Sequence, residues 1–333
     1  MTALRWGILS TADIGTGKVI PGMRRAARTE VVAIASRDVE RGRNVADRLG
    51  IPTVHDGYEA LLADPNVDAV YIPLPNHLHP EWTIAAVEAG KHVLCEKPLA
   101  MTSAAARRMV DAATAKGVIL VEAFMYRLHP SWLAVRELVA SGRIGRVVAV
   151  HTVFAYYNDD ATNIRNIRAY GGGALYDIGC YCINVARMVF GSEPTAVHGA
   201  IRRDALSGVD VLTSGLLEFG DDGVATFTCG IRMESDQRVE IYGSEGRITV
   251  EIPFNIPPDR GTRIIVTAGG DPPVAPATEI LDFATKDPYA AEVEAFAAAV
   301  LDGAPPPIPA DDAVANLRVI ERVVAAAEDG RSA

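Results

Sequence analysis

The sequence predicts an α/β fold in two parts: a parallel sheet covered by helices, then an α+β domain built on a large, mainly antiparallel open sheet. Three observations carry this. Over roughly the first 120 residues, short apolar strands alternate with amphipathic helices, the pattern of a parallel sheet covered on both faces. From Val147 onward the period changes to two, with hairpin-turn residues between the runs. The 333 residues suffice for two domains that each bury a core. The boundaries are set at 1–123 and 124–333.

Composition narrows the function. With 49% hydrophobic and 22% charged residues this is ordinary globular protein. A net charge of −10 without a Lys/Arg cluster argues against nucleic acid. Cys95, Cys180, Cys182 and Cys229 have neither metal-ligand spacing nor the density of a disulfide scaffold, so free cytosolic thiols are expected. No leader pattern and no apolar run of membrane-spanning length is visible. The expectation is a soluble cytoplasmic protein that handles a small molecule.

The first strand, Leu4–Leu9, opens onto Ser10-Thr11-Ala12-Asp13-Ile14-Gly15. Dinucleotide phosphates bind at such turns, where glycines let the backbone approach the pyrophosphate. Only Gly15 of the usual three glycines is present. Ser10 and Ala12 replace the others and are small enough to leave the N–H groups and the helix N-terminus accessible.

The second strand, Val31–Ala35, ends in Ser36-Arg37, where an acidic residue would hold a ribose 2′-hydroxyl. Serine and a guanidinium suit a 2′-phosphate instead. NADP(H) is therefore favoured, with NAD(H) left open because Asp38 is adjacent. An ordinary surface arginine is the plain alternative.

Strands at Thr53–His55, Ala69–Ile72, His92–Cys95 and Ile119–Glu122 complete the sheet. Helices are predicted over Thr16–Ala27, Val39–Leu49, Tyr58–Ala63, Pro80–Ala89 and Ser103–Lys116, with Asp38, Asp56, His79 and Thr102 as caps or pre-cap residues. After Ile72, Pro73-Leu74-Pro75-Asn76-His77-Leu78-His79-Pro80 forms a proline-stiffened loop. Its backbone and Asn76 are assigned to the nicotinamide side of the cleft, and His77 to ribose or substrate. Two histidines without a third ligand make no metal site, and no metal is expected.

Gly90-Lys91-His92-Val93-Leu94-Cys95-Glu96-Lys97-Pro98-Leu99 reads as a C-cap glycine, a buried strand, then a carboxylate and an ammonium. Charges directly after a buried strand are costly unless they face a cleft. In open parallel sheets the cleft lies beyond the strands' carboxyl ends. A strand-end ion pair beside a turn proline is the alternative.

In the second half, alternating runs recur at Val147–Tyr157, Ala196–Arg202, Val209–Phe219, Gly223–Arg232, Gln237–Tyr242, Arg247–Val250 and Arg263–Thr267. Asp221-Asp222-Gly223 and Gly243-Ser244-Glu245-Gly246 are hairpin signals. One sheet face should pack on helices. Apolar residues on the other call for a cover, which predicts a homodimer or homotetramer through the sheet. Pro253–Pro258 and Asp271–Pro276 read as surface loops. Tyr289–Leu301 and Asp311–Glu328 are helical by period and close the core, the last with the option of docking on the first domain.

Gly15, Ser36-Arg37, the Pro73–His79 loop and above all Gly90–Pro98 resemble the Gfo/Idh/MocA oxidoreductase family. Glu122-Ala123-Phe124-Met125-Tyr126-Arg127-Leu128-His129-Pro130 looks like its inter-domain hinge. Gly171-Gly172-Gly173-Ala174-Leu175-Tyr176-Asp177-Ile178-Gly179-Cys180-Tyr181-Cys182 looks like its substrate helix. The resemblance implies a Rossmann dinucleotide-binding domain, a cis Lys97-Pro98 bond, and a cofactor held by residues 10–14, Ser36, Arg37, Pro73, Leu74, Asn76, His77, Glu96, Lys97 and Arg127. It is closest in motif to dimeric dihydrodiol dehydrogenase, D-xylose dehydrogenase and 3-ketosugar reductase branches, which carry tyrosine where other members have histidine at the position of Tyr181.

Asp177 and Tyr181 are four apart and share a helical face, after three glycines that would let backbone approach a ligand. A core tyrosine and a helix-start aspartate are the plain alternative. Hydride transfer at a carbinol carbon needs a proton relay at its oxygen. Tyrosine, with an ordinary pKa of about 10, is a poor base unless an ammonium assists it. Tyr181 is assigned as proton donor and acceptor, Lys97 as the group polarising the same oxygen, and Asp177 as the orienting group. The resemblance equally permits Lys97 as the direct acid/base. Tyr126, Arg127, His129, Tyr156, Asn163, Arg165 and Arg168 are further candidates for contacting substrate. The function expected is an NAD(P)-dependent oxidoreductase of a sugar, cyclitol or polyol. A non-catalytic dinucleotide-binding sensor, or a glycosidase using NAD(P) for transient oxidation, is the alternative.

Overall fold

The computed structural model describes residues 2–269 and 277–329; Asp271–Pro276, expected as a surface loop, lies outside the described residues. The strands of the first half are β1 (Leu4–Leu9), β2 (Thr29–Ser36), β3 (Thr53–Asp56), β4 (Ala69–Ile72), β5 (His92–Glu96) and β6 (Leu120–Ala123). Those of the second are β7 (Val147–Tyr157), β8 (Ala196–Arg203), β9 (Asp210–Glu218), β10 (Val224–Gly230), β11 (Arg232–Gly243), β12 (Gly246–Val250), β13 (Thr262–Ala268) and β14 (Ala277–Phe283). The helices are α1 (Ile20–Arg25), α2 (Val39–Leu49), α3 (Tyr58–Leu62), α4 (His79–Glu88), α5 (Ser103–Lys116), α6 (Pro130–Ala140), α7 (Cys180–Phe190), α8 (Pro288–Asp302) and α9 (Ala310–Asp329). Two compact units result: Met1–Leu128 with Asp287–Val314, and His129–Lys286 with Ala315–Ala333.

In the first unit the sheet order is β3-β2-β1-β4-β5-β6 and every pair is parallel. β4 and β6 are buried at all positions, as a sheet covered on both faces requires. Local signals set the helix ends. Asp38 caps α2 by accepting from the N–H of Arg41 at 3.0 Å, and Thr102 caps α5 through Ala105 at 3.1 Å. Gly50 and Gly117, in the left-handed conformation, end the same two helices. Asp56 ends β3 instead, and Gly57 holds the N-cap position of α3.

Asp287–Val314 clusters with this unit, whereas the sequence pattern runs the second domain unbroken from 124 onward. Packing explains the difference. Phe296 of α8 lies 4.9 Å from the ring of Trp6, and both are fully buried. Asp287 caps α8 through the N–H groups of Tyr289 and Ala290 and pairs with Arg25 of α1. The division between units falls inside α9. Asp311, expected as its cap, lies within that helix and pairs with Arg107 at 2.6 Å.

The second unit holds one sheet in the order β14-β13-β12-β11-β7-β10-β9-β8. β10 runs parallel to β7, and the other neighbours are antiparallel. Asp221–Gly223 and Gly243–Gly246 make the expected turns between β9 and β10 and between β11 and β12. β14 has no sequence forecast. It is an edge strand exposed at most positions, and a strand wet on both faces shows no alternation to detect. α7 packs on β7 and β10. α9 lies against β8, where a side chain at Gly199 would strike the backbone of Val323.

Candidate active site

The turn after β1 keeps the conformation that its missing glycines would have supplied. Ser10 has φ +111°, a region that L residues other than glycine rarely occupy. Its N–H bonds Ala35 O at 2.9 Å. Its hydroxyl donates to Pro73 O at 3.4 Å and accepts from the N–H of Ala12 at 3.3 Å. These bonds tie the ends of β1 and β4, the switch point where an open parallel sheet receives its ligand. Helix begins at Asp13 rather than Thr16, with a π-helical turn over Gly15–Val19. A side chain at Gly15 would meet only Pro73 and Tyr71, at 3.5 Å.

At the end of β2, Ser36 is buried and accepts from the N–H of Asp38 at 3.2 Å. Asp38 uses its Oδ1 on the α2 cap. Arg37 is exposed and lies beside the Tyr58 hydroxyl. Arg41, one turn further on, extends its guanidinium to Thr11 O at 3.4 Å. Sequence reasoning missed it, although its signal was four-residue spacing from Arg37 on the first turn of a helix.

Beyond β4 and β5 the site residues are held by buried polar groups. The Lys97-Pro98 bond is cis, and Lys97 is half-buried. His79, expected as a helix-start residue, is wholly buried. Its Nδ1 lies 2.9 Å from Pro98 O and its Nε2 2.8 Å from Leu74 O. It therefore fastens the loop before α4 to the segment carrying Lys97. Burial pushes this imidazole down to about 4. Glu96 accepts the Tyr71 hydroxyl at 2.6 Å. Asn76 and His77 form the short turn before α4. Tyr126 is fully buried, edge-on to Phe124, and Arg127 pairs with Asp312 at 2.6 Å.

In the second unit, Asp177 stands in a π-helical turn, Leu175–Gly179, that leads into α7; such turns often mark functional sites. Asp177 Oδ2 accepts the Tyr156 hydroxyl at 2.5 Å and Arg165 Nε at 3.0 Å. Arg165, a candidate for contacting substrate, is thus paired with Asp177. Burial, then the nearby Asp177 charge, raises Tyr156 above the usual phenol value. Tyr181 is 6% exposed, with its ring between Phe154 and Phe254 at centroid distances of 5.6 and 5.2 Å.

Gly171 ends the short turn Arg168–Tyr170 in the left-handed conformation, and Gly172 and Gly173 serve close approach within the protein. A side chain at Gly172 would come within 2.5 Å of Arg165 O, and one at Gly173, where φ is +121°, would run into the Asp210 carboxylate. Asn163 caps the short turn holding Arg165, and exposed Arg168 lies over Gly208. His129 is 1% exposed and caps α6, its Nδ1 accepting from the N–H of Ser131 at 3.2 Å.

Cys95, Cys180, Cys182 and Cys229 are free and buried. Among the described residues no cluster could hold a metal ion, and no helix is long and apolar enough to cross a membrane.

The profile of an oxidoreductase family with an NAD-binding Rossmann fold matches residues 4–124. That of the GFO/IDH/MocA C-terminal domain matches residues 132–249. An uncharacterized oxidoreductase of Rhizobium meliloti is 43% identical over 330 residues, covering 99% of this chain and 98% of that protein. A D-xylose 1-dehydrogenase (NADP(+)) of Haloferax volcanii is 40% identical over 328 residues, 98% of each. The crystal structure of a 3-ketoreductase from Actinomadura kijaniata in complex with NADP and TDP-benzene matches with a TM-score of 0.90 at 32% identity, again over 98% of each chain. With both profiles in order along the chain and full-length relatives at this identity, the chain belongs to the Gfo/Idh/MocA oxidoreductase family.

Proposed function

We propose that this chain is an NADP(H)-preferring oxidoreductase that moves a hydride between nicotinamide and a hydroxyl or carbonyl carbon of a sugar, cyclitol or related polyol. The observation that carries it is Lys97, placed directly beyond β5 in a sheet ordered β3-β2-β1-β4-β5-β6, where parallel sheets present groups to a bound dinucleotide. The relatives support the substrate class: one is a D-xylose 1-dehydrogenase, another a 3-ketoreductase.

The residues present fit NADP(H). The Ser10 turn has glycine-like backbone, and Arg37 and Arg41 flank the end of β2, where a 2′-phosphate would need charge-assisted donors. When bound, NADP(H) supplies the carbon that accepts or gives the hydride. The protein's part is the proton. In oxidation, Tyr181 takes the hydroxyl proton as the C–H bond gives up its electron pair. The Lys97 ammonium stabilises the developing alkoxide. In reduction Tyr181 returns that proton to the new hydroxyl. Asp177, by holding Tyr156 and Arg165 together, sets the polar groups that vicinal hydroxyls would meet.

The test is a panel of aldoses, inositols and ketosugars with NADP and NAD, alongside Tyr181→Phe and Lys97→Met. Loss of hydride transfer in both variants is expected. An unchanged rate in either removes that residue from the scheme, and no cofactor reduction or oxidation across the panel removes the function.

Assembly and location belong to the same proposal. On the sheet face away from α7, Val153, Leu216 and Ile265 are half-buried and Ile280 is 50% exposed. A second copy covering this face gives a homodimer, or a homotetramer by further pairing. Sedimentation at micromolar concentration reads the state directly. The cytoplasm is the proposed compartment, where NADP(H) is available and four thiols stay reduced.

A further inference from the structure

One half-buried arginine of the second unit has a guanidinium nitrogen withdrawn from solvent. Arg232 opens β11, its backbone in register with Tyr157 at the end of β7. Its Nη1 is buried and has no hydrogen-bond partner among the described residues. Other arginines nearby are engaged: Arg165 pairs with Asp177, and Arg203 with Glu328 at 3.6 Å. The Arg232 charge acts on the Tyr156 hydroxyl, which donates to Asp177, and on Asp204. Asp204 does not answer it with a hydrogen bond. Its Oδ2 instead accepts from the N–H of Leu206 and from the N–H and hydroxyl of Ser207.

A guanidinium nitrogen withdrawn from water without a partner is costly, and proteins seldom leave one so. Its planar fork matches the paired oxygens of a carboxylate or phosphate. Asp210 Oδ2 is engaged by Leu175 and Thr213, and the arginine whose charge acts on that carboxyl is Arg203. Among the described residues no carboxylate forms an ion pair or hydrogen bond with Arg232, so this nitrogen is open to an anion from outside the chain.

We infer that Arg232 is a specificity-determining residue that binds an anionic oxygen group on the substrate, so that the sugar taken by this site carries a phosphate or a carboxylate. This rests on the proposed sugar-oxidoreductase function and names its substrate class. The hydride step keeps its balance, because the anion is a handle distant from the reacting carbon and is neither formed nor broken. Binding through a handle acts on ground and transition states alike, so its effect falls on KM.

The experiment compares matched substrates that differ only in this group: an aldose, its 6-phosphate and its uronic acid, each at saturating NADP. A charge-assisted bond contributes enough for roughly tenfold to a hundredfold. The expected result is at least a tenfold preference in kcat/KM for one acidic form, expressed in KM, which collapses in Arg232→Met and is partly kept in Arg232→Lys. Which form is preferred distinguishes phosphate from carboxylate. Equal or better turnover of the neutral aldose overturns the inference and leaves the proposed function standing.

Where none of the three is turned over, the proposed function is decided by the full panel, and the inference is read by binding. NADP-loaded protein is heated with inorganic phosphate and with glucuronate. Stabilisation by one of them that is lost in Arg232→Met supports it, and absence of stabilisation of the unsubstituted protein overturns it. Should Arg232→Met fail to fold, the substrate ratio of the unsubstituted enzyme decides alone.

Discussion

Asp210 Oδ2 accepts the N–H of Leu175 at 2.7 Å and the hydroxyl of Thr213 at 2.9 Å. One oxygen thereby joins the start of β9 to the turn that carries Asp177. The fit is mutual, since any side chain at Gly173 would occupy the same space as this carboxylate. Burial raises the carboxyl to about 6, against the hydrogen bonds that lower it.

Asp210→Ala leaves two buried donors unmet, and a loss of about 2–3 kcal/mol is expected. Asp210→Asn, whose amide oxygen can accept both bonds, should stay within about 1 kcal/mol of the parent. The folded pKa lies above the ordinary 3.8. The carboxyl's contribution is therefore full below 3.8 and declines as pH rises through 6. Urea unfolding between pH 4 and 7 should show a shallower decline in Asp210→Asn, and parallel curves would sink the assignment.

Ser10 carries backbone strain of about 1–2 kcal/mol at φ +111°, offset by two long hydrogen bonds of its hydroxyl. Ser10→Gly removes both the strain and the bonds, so stability should hold or rise by up to about 1 kcal/mol. Ser10→Ala keeps the strain and should fall by a similar amount. Thermal unfolding ranks the three. A Gly variant less stable than the Ala variant would show that the dihedral holds no strain for glycine to relieve.

Arg41 reaches Thr11 O across the same turn, which puts its charge at the end of β2 with Arg37. Arg41→Ala should raise the dissociation constant of NADPH about tenfold, the worth of one charge-assisted contact, and change that of NADH less than about twofold. Fluorescence titration of both cofactors reads the ratio. Equal losses for the two would move Arg41 from the 2′-phosphate to the shared part of the dinucleotide.

The sequence is most legible where one physical constraint acts alone. Buried parallel strands must be apolar throughout, so β1 and β4 fall where predicted to the residue. Side chains engaged through tertiary contacts left weaker traces. Nothing in the spacing of Asp210 and Leu175 reveals that they meet, because they are 35 positions apart with a helix and a strand between them. Gly172 and Gly173 were legible as a close approach, but nothing in the sequence shows that Arg165 and Asp210 supply approaching atoms. His79 was recognised as a helix start, while its two carbonyl partners depend on loops from different strands. Arg232 gave no signal, since what singles it out is the absence of a hydrogen-bond partner for its Nη1 among the described residues.

Glu292 in α8 extends this to a carboxyl that no local pattern marks. It is 1% exposed, and its Oε1 has no hydrogen-bond partner among the described residues. Burial first, then the charge of Glu96, raises it well above 4.5. The folded protein thus keeps a proton that the unfolded chain releases above pH 4.5. Stability on this account is full below 4.5 and falls as pH rises toward the elevated folded value. Glu292→Gln preserves the shape and cannot ionise. It should match the parent at pH 4 and exceed it by about 1 kcal/mol or more at pH 8. Glu292→Ala, which opens a cavity, should be less stable at both. Urea midpoints at the two pH values decide. A Gln variant that loses stability at pH 8 would mean that the Glu292 carboxylate is ionised and bound, and that the Glu96 charge is not what keeps it neutral.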